Sequence, residues 1–226
     1  MCIRDSYKIL VPEDARKVTK KLAKVSQADI GKGLKEALNA GVGEAVSFLS
    51  AEDGYYKSPY KILVPEDARK VTKKLAKVPG WNGVEAKLEE KMNRAAEIAA
   101  KKAKPIFVSA IKGMSFSDAK NILLGEKNAA TTYLHKSTYD NLFSEFMPVI
   151  QSALDEVNAR EYWRGAVNAY NKIPLVSKAD PELDQYVTKT ALVGLFNLIE
   201  KKELGIRDNV GERKSDLLKK VFAKQD

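Results

Sequence analysis

Apolar residues recur every three to four positions along most of this chain, the period that lines them up on one side of an α-helix. From Tyr139 onward, Leu142, Phe143, Phe146, Val149, Ile150, Ala153, Leu154 and Val157 draw a broad stripe, and Pro148 within it predicts a kink or a split. Val84, Leu88, Met92, Ala95, Ala99 and Ala103 draw a narrower stripe of smaller residues. Leu183, Val187, Ala191, Leu195 and Leu198, widened by Val193, Phe196 and Ile199, predict a mostly buried helix over residues 181–208. Leu217, Leu218, Val221 and Phe222 predict a short last one. Strand-type alternation is nearly absent; residues 60–64 come closest and are too short and isolated to make a sheet. The pattern predicts an all-α fold, a single irregular or orthogonal bundle of about eight helices.

Local chemistry marks several helix ends. Ser26 with Asp29, Ser115 with Asp118 and Asn158 with Glu161 each place an N-cap acceptor three residues ahead of an acid, the capping-box spacing. Asp180, Pro181 and Glu182 supply a cap, a fixed φ and a first-turn acid in succession. Gly125, directly after Ile122, Leu123 and Leu124, is read as a left-handed closing residue. Residues 52–59, rich in Gly, Tyr, Ser and Pro, form the longest predicted loop.

One feature breaks the regularity. Residues 7–25 and residues 60–78 are the same nineteen-residue run, YKILVPEDARKVTKKLAKV, without a difference. Structural repeats drift apart and need several stacked neighbours, so this is not a repeat fold. Both copies carry the stripe of a helix with a lysine-rich opposite side, and both would compete for one groove. Residues 1–25 are therefore read as a duplicated, artefactual N-terminal segment, residues 26–226 as a single helical domain, and the second copy as the docked one. The opening MCIRDS is polar and resembles translated sequencing adapter, with no apolar stretch of signal-peptide type in the chain as given.

Charge and cysteine change the picture little. The net charge of +9 over 226 residues is concentrated at the start, where residues 1–25 hold seven basic and three acidic side chains. What remains is an ordinary basic surface without interleaved aromatics, so nucleic acid is not an expected partner. Cys2 is the only cysteine, which excludes an internal disulfide. No run reaches the eighteen or so apolar residues that suggest a membrane span.

The segments GLKEALNAGVGEAV (33–46), KMNRAAEIAAKKAKPIFVSAIKGMSFSDAKNILL (91–124), AATTYLHKSTYDNLFSEFMPVI (129–150), DQYVTKTALVGLFNLIEKKELGIR (184–207) and LLKKVF (217–222), in that order, resemble a bacterial domain-of-unknown-function family, number 4197. The resemblance covers residues 29–222. It implies an exported, periplasmic or envelope-associated helical protein of Gram-negative bacteria and no established activity. The chain departs from the family pattern at Gly125, Glu126 and Lys127, where Gly-Gly-Asp is expected, and at His135 and Lys136, where two arginines are expected.

The candidate chemistry is sparse. His135 is the only histidine, so neither a zinc site nor a Ser-His or Cys-His pair is expected away from it, and it is read as a surface or helix-end residue. Asp180, Glu182 and Asp184 imitate a calcium loop but lack its glycine and its closing glutamate, and are read as first-turn acids. Phosphate-loop and dinucleotide patterns are absent, and no cofactor and no metal are expected. Asn93, Arg94 and Glu97 flank an apolar stripe, with Asn93 and Glu97 one turn apart, and are read as a hydrogen-bond network that fixes packing rather than as a ligand site. Thr131, Thr132 and Tyr133, near a helix start, are placed to cap or to cradle an anion.

These readings favour a non-catalytic envelope protein that binds a protein partner or a hydrophobic ligand. Two alternatives stay open: an enzyme of unrecognised type using Glu97, Asp118, Thr132, Tyr133 and Asp184 in one cleft, and a protein that binds anionic membrane surfaces through its lysine-rich faces.

Overall fold

The computed structural model describes residues 26–65, 69, 84–156, 158–172, 174–175 and 177–223. The readings of residues 1–25 and the helix predicted over 65–78 therefore fall largely outside the described residues. Among those described there are eight α-helices and no strand, so the fold is the all-α bundle expected. They are α1 (Gln27–Leu49), α2 (Val84–Ala100), α3 (Ala103–Gly113), α4 (Phe116–Leu124), α5 (Ala129–Asp155), α6 (Ala159–Asn171), α7 (Leu183–Asp208) and α8 (Asp216–Phe222). A single 3-10 turn, Val210–Glu212, links the last two.

The centre is α7. Leu183, Val187, Ala191, Leu192, Leu195, Leu198 and Ile199 are buried along it, facing more than one neighbour. α5 packs along one side of α7 and α1 along another; α2 and α3 lie against α5, and α4 and α8 lie against α1. The α1–α8 approach is close because Gly33 has no side chain. A Cβ there would stand 2.7 Å from Val221 Cγ2. Leu142, Phe146, Ile150 and Leu154 carry the α5 stripe into the core at every fourth residue.

Capping chemistry explains the starts that sequence identified. Ser26 Oγ accepts from the Asp29 N–H at 3.1 Å. Ser115 and Asp118 close a reciprocal box, with Ser115 Oγ accepting from the Asp118 N–H at 3.1 Å and Asp118 Oδ2 accepting from the Ser115 N–H at 2.9 Å. Other expectations are corrected. α7 begins at Leu183, two residues later than Pro181, because Asp180 Oδ1 accepts from the Glu182 N–H and turns the chain before the helix. Asn158 precedes α6 with φ 53°, a left-handed position instead of an extended cap.

Gly125 ends α4 in an extended conformation, φ −83° and ψ −168°, not a left-handed one. Its need for glycine is spatial, since a Cβ would stand 2.7 Å from the Asn121 carbonyl oxygen. Pro148 does not split α5, which runs through it. Pro148 and Ser144 are both exposed, so the Ser144 carbonyl, which loses its helical partner, can be served by water. The stripe beginning at Val84 belongs to two helices: a turn at Lys101 and Lys102 separates Ala99 from Ala103. Val193 is 56% exposed, the one residue of the α7 stripe that faces out.

Candidate functional site

Residues 50–65 join α1 to the next segment without forming a helix, yet they are firmly placed. The reason lies on α2, where Glu89, Asn93 and Glu97 recur at four-residue spacing and so share one face. Glu97 Oε1 accepts from the backbone N–H groups of Tyr55 and Tyr56, each at 3.1 Å. Asn93 Oδ1 accepts from the Ile62 N–H at 2.8 Å, and Asn93 Nδ2 donates to the Ile62 carbonyl at 2.9 Å. Glu89 Oε1 accepts from the Val64 N–H at 3.3 Å. Three side chains thus do what a neighbouring strand would do, satisfying backbone groups that burial would otherwise leave unpaired.

Charges around this seam balance. Arg94 Nη1 donates to Glu97 Oε2 and Nη2 to Asp53 Oδ1, each at 2.8 Å, and its guanidinium lies over the Tyr56 ring at 5.2 Å. The bond to Glu97 holds the Arg94 guanidinium above its ordinary pKa. Lys57, followed by Arg94, holds the Asp53 carboxyl below its usual range. Tyr55 is fully buried and donates to the Ala191 carbonyl of α7 at 2.8 Å; burial, with Glu97 adding, pushes its phenol up. Of the residues the sequence singled out here, Asn93 and Glu97 hold the protein's own backbone, and Arg94 pairs with the Glu97 and Asp53 carboxylates. Glu89 was missed, although the same spacing continued one turn earlier would have found it. Tyr55 was missed because nothing local distinguishes it from Tyr56.

At the start of α5, Thr131 does meet an anion, and the anion belongs to the chain. Glu203 of α7 accepts from the Ala130 N–H at 3.0 Å, and from the Thr131 N–H and Oγ1, each at 2.8 Å. A carboxylate at a helix N-terminus is favoured by the exposed N–H groups and the helix dipole together. Arg207 pairs with the same carboxylate at 2.8 Å and donates to the Ile122 carbonyl at 2.8 Å, while the fully buried Arg213 donates to the Ile206 and Arg207 carbonyls. Thr132 is exposed and Tyr133 half-buried, and neither takes part. Partial burial, followed by the nearby Asp118 charge, raises the Tyr133 phenol.

Asp184 lies elsewhere. It is buried at the start of α7, accepting from Gln151 Nε2 at 2.6 Å and from Arg160 Nη1 at 3.3 Å. Asp118 serves its capping box, which lowers its carboxyl pKa. Glu97, Asp118 and Asp184 thus occupy three separate places and share no hydrogen-bond partner. His135 is exposed and lies against the rings of Tyr139 and Phe196 at 4.9 and 4.6 Å. Among the described residues no group of three His, Cys, Asp or Glu side chains is placed to hold a metal ion, and no helix is long and apolar enough to cross a membrane. The pocket beneath α1, lined by Leu34, Leu38, Ala130, Ile199 and Phe222 among others, holds about 20 Å³, the room of a single water.

Comparison with known proteins adds one match. The profile of the family described as "Protein of unknown function (DUF4197)" matches residues 24–223. Neither the curated proteins nor the solved structures contain a match to the chain. Because the matched span takes in every helix from α1 to α8, the chain belongs to the DUF4197 family.

Proposed function

We propose that this chain is a non-catalytic helical protein of the bacterial cell envelope that works by binding a protein partner. The observation that supports this most is the surface around the 50–65 segment. Phe48, Leu63 and Val193 are exposed there to between 45% and 56%. Tyr60 lies among them, with its ring edge-to-face on Phe48 at 6.3 Å and its Cβ against Gly194, next to Val193. Tyr60 and Leu63 stand on the segment clamped by α2 and α7, and Phe48 and Val193 stand on α1 and α7 themselves, so little conformational entropy is lost when a partner covers them. Exposed apolar groups gathered on a rigid support are the usual anatomy of a contact surface.

A surface is preferred to an enclosed hydrophobic ligand because the apolar pocket under α1 has only the volume of a water. The non-catalytic reading rests on where the candidate acids go: Glu97, Asp118 and Asp184 each bind the protein's own backbone or side chains. The envelope location follows the family resemblance. The test is photo-crosslinking in cells, with the reactive side chain at position 48, 63 or 193 and a control at Val210, which is equally exposed beyond the far end of α7. Adducts of defined mass from the first three positions and not from the control are expected. Identical patterns at all four would end the proposal.

A further inference from the structure

A groove between α2 and α7 seats residues 60–65 as a short extended stretch. Ile62 and Val64 are buried and Leu63 between them is exposed, the alternation of a strand lying in a slot. Asn93 holds both the N–H and the C=O of residue 62, Glu89 holds the N–H of residue 64, and Tyr186 Oη donates to the Leu63 carbonyl at 3.0 Å. Asn93, Glu89 and Tyr186 read backbone, and Ile62 and Val64 supply the apolar fill. Lys61 closes the site with an ion pair to Glu89 at 2.9 Å.

Residues 60–65 read Tyr-Lys-Ile-Leu-Val-Pro, and residues 7–12 read the same. The second stretch therefore carries every group the groove engages. We propose that this groove also accepts residues 7–12 of a second copy of this chain, by exchange with residues 60–65.

Chain length favours exchange between two molecules over exchange within one. Gly41 of α1 lies against Lys202 of α7, where an added Cβ would stand 3.5 Å from the Lys202 Cβ, and Glu44 pairs with Lys202 at 2.9 Å. The 50–65 segment then runs back along α7, past Ala191 to Tyr186. From Ser26 to Gly41 is about 22 Å of helix, and from Lys202 to Tyr186 is about 24 Å, at the usual rise per residue. The path from the start of α1 to the groove is thus about 46 Å. The stretch between residues 12 and 26 spans at most about 46–50 Å when every residue is fully extended. Insertion within one molecule would need that stretch almost fully extended, whereas a second molecule has no such limit. Residues 60–65, tethered on both sides, act at an effective concentration on the order of millimolar, so they hold the groove in dilute solution and are replaced only when their own grip fails.

The test uses the full chain carrying Ile62→Asp, which spoils the resident segment and leaves residues 7–12 intact. It is compared with Ile9→Asp/Ile62→Asp, in which both copies are spoiled. Sedimentation and thermal unfolding are followed from about 1 to about 100 μM. The single variant is expected to associate, and its Tm to rise with concentration, while the double variant stays lower with no concentration dependence. If the two coincide at every concentration, folded or unfolded alike, residues 7–12 do not enter the groove and the proposal is overturned. If the single variant stays monomeric but outlasts the double, exchange occurs within one chain and the assignment to a second copy is overturned.

Discussion

Replacing Asn93 by Leu removes the amide clamp while keeping the volume of the side chain. Asn93 and Ile62 are both fully buried, so the Ile62 N–H and C=O lose their partners in a place that water does not reach. Each buried backbone group left unpaired costs about 1–3 kcal/mol, and the apolar replacement recovers little of it. The bond from Asn93 Nδ2 to the Glu89 carbonyl at 2.7 Å adds less, because a helical carbonyl ordinarily keeps its backbone partner. The expected loss is about 3 kcal/mol, or about 6–12 °C in Tm for a chain of this size. Urea unfolding followed by circular dichroism measures it. Exchange of the Ile62 and Val64 amides should quicken by more than that of amides in the middle of α7. A loss below about 1 kcal/mol would mean that the 50–65 segment is held by its apolar contacts and that the clamp is incidental.

Three further outcomes can be measured in the same way. Glu203→Gln should cost about 3–5 kcal/mol in urea unfolding, because Arg207 stays buried without its counter-charge and an amide nitrogen is turned toward donors; a cost under about 1 kcal/mol would show that the pair is replaceable. Gly33→Ala forces a Cβ against Val221, and its loss of about 1–3 kcal/mol should shrink when Val221→Ala is added; strict additivity would show that α1 and α8 do not meet there. The carboxyls of Asp29, Asp53, Asp118, Asp155 and Glu44 are all held below their ordinary values, by Lys220, Lys57, Ser115, Arg160 and Lys214 respectively. The folded state therefore binds fewer protons than the unfolded one, so the stability they contribute is complete above about pH 5 and is lost as pH falls through about 4 and below. The urea midpoint should drop between pH 7 and pH 3, and an unchanged midpoint would refute that link.

The helical type of the described elements was legible in the sequence because it rests on local rules. Ser26 and Ser115 announce helix starts through bonds that span three residues, and the fourfold spacing of Leu142, Phe146, Ile150 and Leu154 survives intact in the core. What escaped is non-local. Glu203 stands in a run of charges, Glu200, Lys201 and Lys202, that reads as a solvated face, and only the fold brings it to Thr131, seventy-two residues earlier. Arg213 sits in a polar stretch, Gly-Glu-Arg-Lys-Ser, and is nonetheless wholly buried. Val193 misled in the opposite sense. In a helix buried on several sides, periodicity does not reveal which strip is left open. The Asn93 network was legible as a packing device, while its object, the backbone of residues 55–64, was not.

That clamp has a dynamic consequence. The amides of Tyr55, Tyr56, Ile62 and Val64 all end on three residues of one helix face, spaced a turn apart. A shift of α2 by a single turn would misalign every one of them together, and smaller shifts are resisted by all four. The connecting segment is thereby tied to the register of α2, so that a change of that register and the loss of the segment's seat would come together.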